Sequence, residues 1–195
     1  MRKIRLQFLI ASMLLILALY SCQNGGSNNY NQLVKTELAK KTRTDSLFFG
    51  IYLGMTSKAF YSHCWDLNKQ GIFTNGSNNT SVLYKLKHEL KAVASMNFYP
   101  DFYEDKIFSM WATIQYDAWA PWNKSLQADS LLPDVLQLYK KWYPTGNDFI
   151  SISDKDRGTI YVKVDGNRRI TIGKYNDGVV KVDYTDLLIE EKLKK

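Results

Sequence analysis

Cysteine, histidine and proline are scarce in this chain, with two, two and four copies. Each shortage excludes a class of chemistry. If Cys22 is set aside, Cys64 is left alone, so no disulfide framework is available and the fold must rest on its core. His63 and His88 lack companions at the spacing that holds a metal, so no metal site and no cofactor is expected. His63 does adjoin Cys64, but neighbours on a helix point about 100° apart. A thiol and imidazole so placed cannot meet, and Cys64 reads as an inert, buried thiol. The phosphate-cradling and nucleophile-elbow glycine patterns are also lacking. Asp101, Glu104 and Asp105 lack the alternating oxygens and glycine of a calcium loop and read as a solvated turn. No catalytic residue is assigned, and an enzyme would require carboxylates such as Asp117 and Asp148 to converge in a cleft.

What the chain has first is a basic start, Arg2, Lys3 and Arg5, followed by the apolar run Phe8 to Tyr20. That run is shorter than the roughly 20 residues of a bilayer span and ends at Ser21-Cys22, the marks of an export signal. Leu19-Tyr20-Ser21-Cys22 resembles the bacterial lipobox. The resemblance implies lipidation of the Cys22 thiol, cleavage before Cys22 and acylation of the new amino group. Two or three acyl chains hold a protein on a membrane where one does not. The expected organisation is a signal peptide over 1–21, a polar tether over 22–30 and one domain over 31–195. Outer-membrane attachment facing the periplasm is the expected location, and the membrane is the first expected partner, through the lipid at Cys22.

Loss of residues 1–21 takes three positive charges from a net +7 and leaves +4. The remaining Lys and Arg are scattered rather than gathered in a stripe, so nucleic acid is not an expected partner.

Periodicity predicts an amphipathic helix over Asn31 to Thr42, a short strand over Leu47 to Leu53, and a helix capped by Thr56 and stopped at Gly71. Strands are expected over Ser81 to Leu86, Ala92 to Tyr99 and Lys106 to Asp117, with a bend at Pro100-Asp101. A helix over Ala128 to Tyr143 follows, with Leu131, Leu132, Val135, Leu138, Tyr139 and Trp142 on its apolar face. Four strands then run to Tyr184, with turns at Asp165-Gly166 and Asn176-Asp177-Gly178, and a short helix closes the chain. The fold class is α+β, an antiparallel sheet with helices on one face, and the repeated order of helix then strands suggests two related halves.

The stretch Phe49-Gly50-Ile51-Tyr52-Leu53-Gly54-Met55-Thr56-Ser57-Lys58 resembles the opening of small envelope lipoproteins of the BamE (SmpA/OmlA) kind. Related architectures occur in β-lactamase-inhibitor-like domains, where the unit is duplicated. The resemblance implies a non-catalytic accessory to an outer-membrane machine and assigns no binding residue. The CWDLNK and WAPWNKSL runs resemble exported lipoproteins of Gram-negative bacteria, which supplies an address and no activity.

Function is therefore expected to be that of an interaction or assembly module with an envelope protein as partner. The alternative is a glycan- or small-ligand-binding lipoprotein that uses the aromatics Trp119 and Trp122 beside Pro121.

Overall fold

Alternation builds the central strands. Ala94, Met96 and Phe98 are fully buried while Ser95, Asn97 and Tyr99 between them are half-exposed; Met110, Ala112 and Ile114 alternate in the same way with Trp111, Thr113 and Gln115. In a computed structural model the described residues are 25–76 and 79–194, with side chains from Asn29 onward. Cys22 and the expected signal over 1–21 lie outside them.

The strands are β1 (Phe73–Asn75), β2 (Val82–Leu86), β3 (Ala94–Tyr103), β4 (Lys106–Tyr116), β5 (Ile150–Asp154), β6 (Gly158–Asp165), β7 (Arg168–Lys174) and β8 (Val179–Asp186). They form one antiparallel sheet in the order β1-β2-β3-β4-β8-β7-β6-β5. The last strand of each run thus meets the other at the centre, Ala112 opposite Val182 and Met110 opposite Tyr184. The expected bend at Pro100-Asp101 is instead a register shift between Asp101 and Phe102, and β3 continues through it. Pro100 is tolerated because β2 pairs only as far as Phe98, so at Pro100 β3 has one strand neighbour.

Four helices join the sheet: α1 (Gly25–Ala39), α2 (Ser57–Lys69), α3 (Ala128–Trp142) and α4 (Leu187–Leu193). Thr56 caps α2 by accepting the Ala59 N–H at 3.3 Å, and Asp186 caps α4 by accepting the Leu188 N–H at 3.0 Å. On α3, Leu131, Val135, Leu138 and Tyr139 recur at helical spacing and are buried in the main core, which also takes Phe60 of α2.

Helix α1 corrects two expectations. It starts at Gly25, within the run expected as tether, and it packs across the sheet from the main core. The reason lies in β6, which is covered on both sides, with Tyr161, Lys163 and Asp165 on one face and the wholly apolar Ile160, Val162 and Val164 on the other. Tyr161 packs toward the main core, while Ile160, Val162 and Val164 point the other way and need cover, supplied by Leu33, Val34 and Leu38 of α1 with Leu187 of α4. The helices therefore do not share one face.

The turn between β6 and β7 ties α1 down through buried polar groups. Glu37 accepts the Gly166 N–H at 3.0 Å and an Asn147 amide N–H at 2.7 Å. Lys163 donates to the carbonyls of Thr145, at 2.9 Å, and Asn147, and pairs with Asp165 at 3.4 Å. Arg168 pairs with the same Asp165 at 3.1 Å, donates to the Ser46 carbonyl and lies 4.8 Å from the centre of the Tyr143 ring. Buried ions so matched add little net stability, but removal of one partner leaves the other without compensation.

Candidate functional site

The stretch Leu47 to Leu53 is not the expected strand. Leu47 N–H donates to the Ile51 carbonyl at 2.8 Å and Ile51 N–H to the Phe48 carbonyl at 2.9 Å, which closes a tight turn with Phe49 at φ 50° and Gly50 at φ 80°. The run is apolar because the turn threads the core: Leu47, Phe48, Ile51 and Leu53 are all buried. A bulky residue at positive φ is strained, and the surroundings hold it there. The His63 ring meets the Phe49 carbonyl at 2.6 Å, so this histidine latches the turn. Cys64, next to it, packs against the main core, and burial pushes its thiol up to about 12, which keeps it protonated at neutral pH.

The turn presents the Phe49 ring to Tyr84 of β2 at 4.6 Å and to Phe73 of β1 at 5.4 Å between centroids. Together with Ile72, Lys87, His88 and Glu89, Phe49 and Tyr84 line a cavity of 680 Å³. A second cavity, of 350 Å³, shares Phe49, Tyr84 and Glu89 and extends to Leu47, Phe48 and Trp142, so the two form one groove at the edge of the sheet. Here β1 pairs only with Val82 to Tyr84, and the outer edge of Lys85 and Leu86 has no strand beside it among the described residues.

Glu89 sits where the cavities meet. It accepts the Tyr84 hydroxyl, and its other oxygen accepts the His88 N–H at 2.9 Å. Burial works to raise its carboxyl, but these hydrogen bonds outweigh it and hold the group below the usual range. Burial first, and then the hydrogen bond to Glu89, pushes the Tyr84 phenol up to about 12. The groove thus holds a fixed anion among aromatic faces.

A second surface is the half-exposed face of the sheet. Register places Tyr99 beside Trp111, Trp111 beside Asp183 and Asp183 beside Thr171 in one transverse row. Leu83, Asn97, Thr113 and Lys181 form the next row. Ion pairs stud this face, with Lys181 bonded to Asp183 at 2.9 Å and Lys85 to Asp117 at 2.7 Å.

Of the candidate aromatics, Trp122 is 85 % exposed. Trp119 is half-buried, and a side chain at Gly178 would come within 2.9 Å of its Nε1, so this indole fills the space that the glycine leaves. The two tryptophans therefore stand in different settings. Asp117 is bound by Lys85 and Ser95 at the end of β4, whereas Asp148 precedes β5 at the far edge of the sheet, so these carboxylates do not converge. Asp101 accepts the Ser109 hydroxyl, and Glu104-Asp105, at φ 49° and 61°, turns β3 into β4. Among the described residues no group of three His, Cys, Asp or Glu side chains is placed to hold a metal ion, and no helix is long and apolar enough to cross a membrane.

The groove escapes sequence reasoning because Phe49, Tyr84, Glu89 and Trp142 come from four separate segments. The local signal is Phe49-Gly50, a bulky residue beside one that favours positive φ. Comparison with protein families, with curated proteins and with solved structures gives no match.

Proposed function

We propose that this chain is a lipid-anchored protein of the bacterial cell envelope that acts as a non-enzymatic interaction module, held to the outer membrane on its periplasmic side by acyl chains on Cys22. The open sheet face carries this reading. Its Trp111 is aromatic, half-exposed and carried on a rigid strand beside Tyr99, whose ring packs on Phe60 and whose hydroxyl meets that of Tyr61 on α2 at 2.7 Å, and the flanking Asn97, Thr113, Gln115 and Lys181 supply polar contacts. A few large aromatics within a polar rim provide most of the energy of protein–protein contacts. The partner is accordingly an envelope protein.

The same reading covers the architecture. Helix α2 with β1 to β4 and helix α3 with β5 to β8 are two helix-plus-strands halves joined at the β4–β8 seam, a reading supported by the mirror order of the strands. The glycan-binding alternative is left with Trp122 as its one strongly exposed indole of the pair.

The test is in-cell photo-crosslinking from a reactive amino acid placed at Thr113, with Lys58, an exposed residue of α2, as control position. One envelope protein should be trapped from Thr113, not from Lys58, and Trp111→Ala should abolish it. The same product from both positions, or none from Thr113, would overturn the reading. Incorporation of labelled palmitate that is lost in Cys22→Ser tests the anchor separately.

A further inference from the structure

We infer that the groove of Phe49, Tyr84 and Trp142 binds an alkylammonium group, with Glu89 as its counter-ion. This site is at the edge of the sheet, apart from the open face proposed to dock a protein.

The charge on Glu89 sets the class of ligand. Its oxygens accept hydrogen bonds from the Tyr84 hydroxyl and from the backbone N–H groups of His88 and of Glu89 itself, none of which carries a positive charge, and the exposed His88 ring adds only the last of the attractions that hold the carboxyl below its usual range. Nearby cations are engaged elsewhere: Lys85 with Ser95 and Asp117, and Lys91 with Asp134. Lys87 and His88 are exposed and belong to the wide cavity alone; the narrow cavity is lined by Leu47, Phe48, Phe49, Tyr84, Trp142 and Glu89, with no basic side chain. A carboxylate in such surroundings favours a cation, repels an anion and is poorly served by a neutral apolar guest that covers it without a hydrogen bond.

The rings select the kind of cation. Phe49 and Tyr84 meet edge to face at 4.6 Å, and Phe48 and Trp142 lie 6.4 Å apart at 34°. Aromatic faces attract an ammonium head, and Leu47 and Phe48 offer an apolar wall for a methylene stem. A bare metal ion would find one carboxylate and no other charged oxygen ligand in the groove. The narrow cavity, at 350 Å³, accommodates a four-carbon ammonium, and the wide one accommodates whatever carries it. The Phe49 turn adds a further reason, because strained backbone held by its neighbours clusters where a ligand is gripped.

The experiment is a titration of the purified full chain in detergent with n-butylammonium chloride, followed by aromatic NMR shifts at Phe49 and Tyr84. Acetyl-lysine amide, with the free ammonium on its side chain, is titrated in parallel, and 1-butanol is the uncharged control. Saturable shifts with both ammonium probes assign the site to the ammonium and stem; saturation by acetyl-lysine amide alone assigns it to a lysine side chain of a polypeptide. Glu89→Gln, which keeps an acceptor for Tyr84 but no charge, should weaken binding about tenfold. Tyr84→Phe, which keeps the ring, should retain it. Shifts that fail to saturate with either ammonium, equal binding of 1-butanol, or unchanged affinity in a Glu89→Gln variant that melts like the parent would overturn the proposal.

Discussion

Glu37 shows how one carboxylate fixes the position of a whole helix. Burial works to raise its carboxyl, but hydrogen bonds from Lys40, the Gly166 N–H and Asn147 together lower it below its ordinary 4.5. A group depressed in the folded state contributes stability that is fully present above its unfolded value and is lost as pH falls through the folded one. Denaturant midpoints should therefore fall below about pH 4.5, and Glu37→Gln should flatten that part of the profile. The variant should also cost about 1–3 kcal/mol at neutral pH, because Gly166 and Asn147 lose a charged acceptor. Urea titrations at several pH values measure both effects. A similar dependence on one atom holds for Tyr143, whose buried hydroxyl donates to the Leu47 carbonyl at 2.9 Å and lies 3.1 Å from the Tyr184 hydroxyl, itself 3.0 Å from Tyr139. Three phenols in a row satisfy one another inside an otherwise apolar core.

Among the elements, the turn over Leu47 to Leu53 is the most exacting. Gly50 adopts φ 80°, and a methyl group there would stand 3.3 Å from the His63 ring that holds the Phe49 carbonyl. Gly50→Ala should destabilise the fold by about 1–2 kcal/mol, seen as a lower melting temperature, and should loosen the packing of Phe49 on Tyr84. Legible in the sequence are the elements whose signals are local: the Thr56 cap and Gly71 stop of α2, the apolar face of α3, and the alternation of β3, β4 and β6. This turn reads as a strand because an apolar run looks alike whether it lies in a sheet or threads a core. Strand β1 is illegible because three residues are too few to show a period. The start of α1 is hidden because Asn28 to Asn31 carry little helical signal, whereas the Tyr30 hydroxyl is fixed by Arg169 at 2.9 Å, a contact 139 residues away. The groove was illegible for the same reason, being made wholly by tertiary contacts.

For the molecule as a whole, the seam between β4 and β8 decides how it unfolds. The main core draws buried residues from both runs of strands and from α2 and α3, so neither run can leave it without exposing the other, while the smaller cluster under α1 rests on the second run alone. Unfolding should be a single cooperative transition, with coincident curves from circular dichroism and tryptophan fluorescence. Val182→Ala, at the seam opposite Ala112, should lower both together by about 1–3 kcal/mol. Separate transitions would mean that the runs fold independently.

The early start of α1 bears on how far the molecule extends from a bilayer. With acyl chains on Cys22, as proposed, only Gln23 and Asn24 stand between the lipid and a helix pinned along β5 and β6. Two residues can span at most about 7 Å, so lipidation at Cys22 would hold the domain against the headgroups, its orientation set by α1 rather than by a long spacer. Under that proposal a partner would have to come to the bilayer surface, and encounters between two membrane-held proteins would become a search in two dimensions.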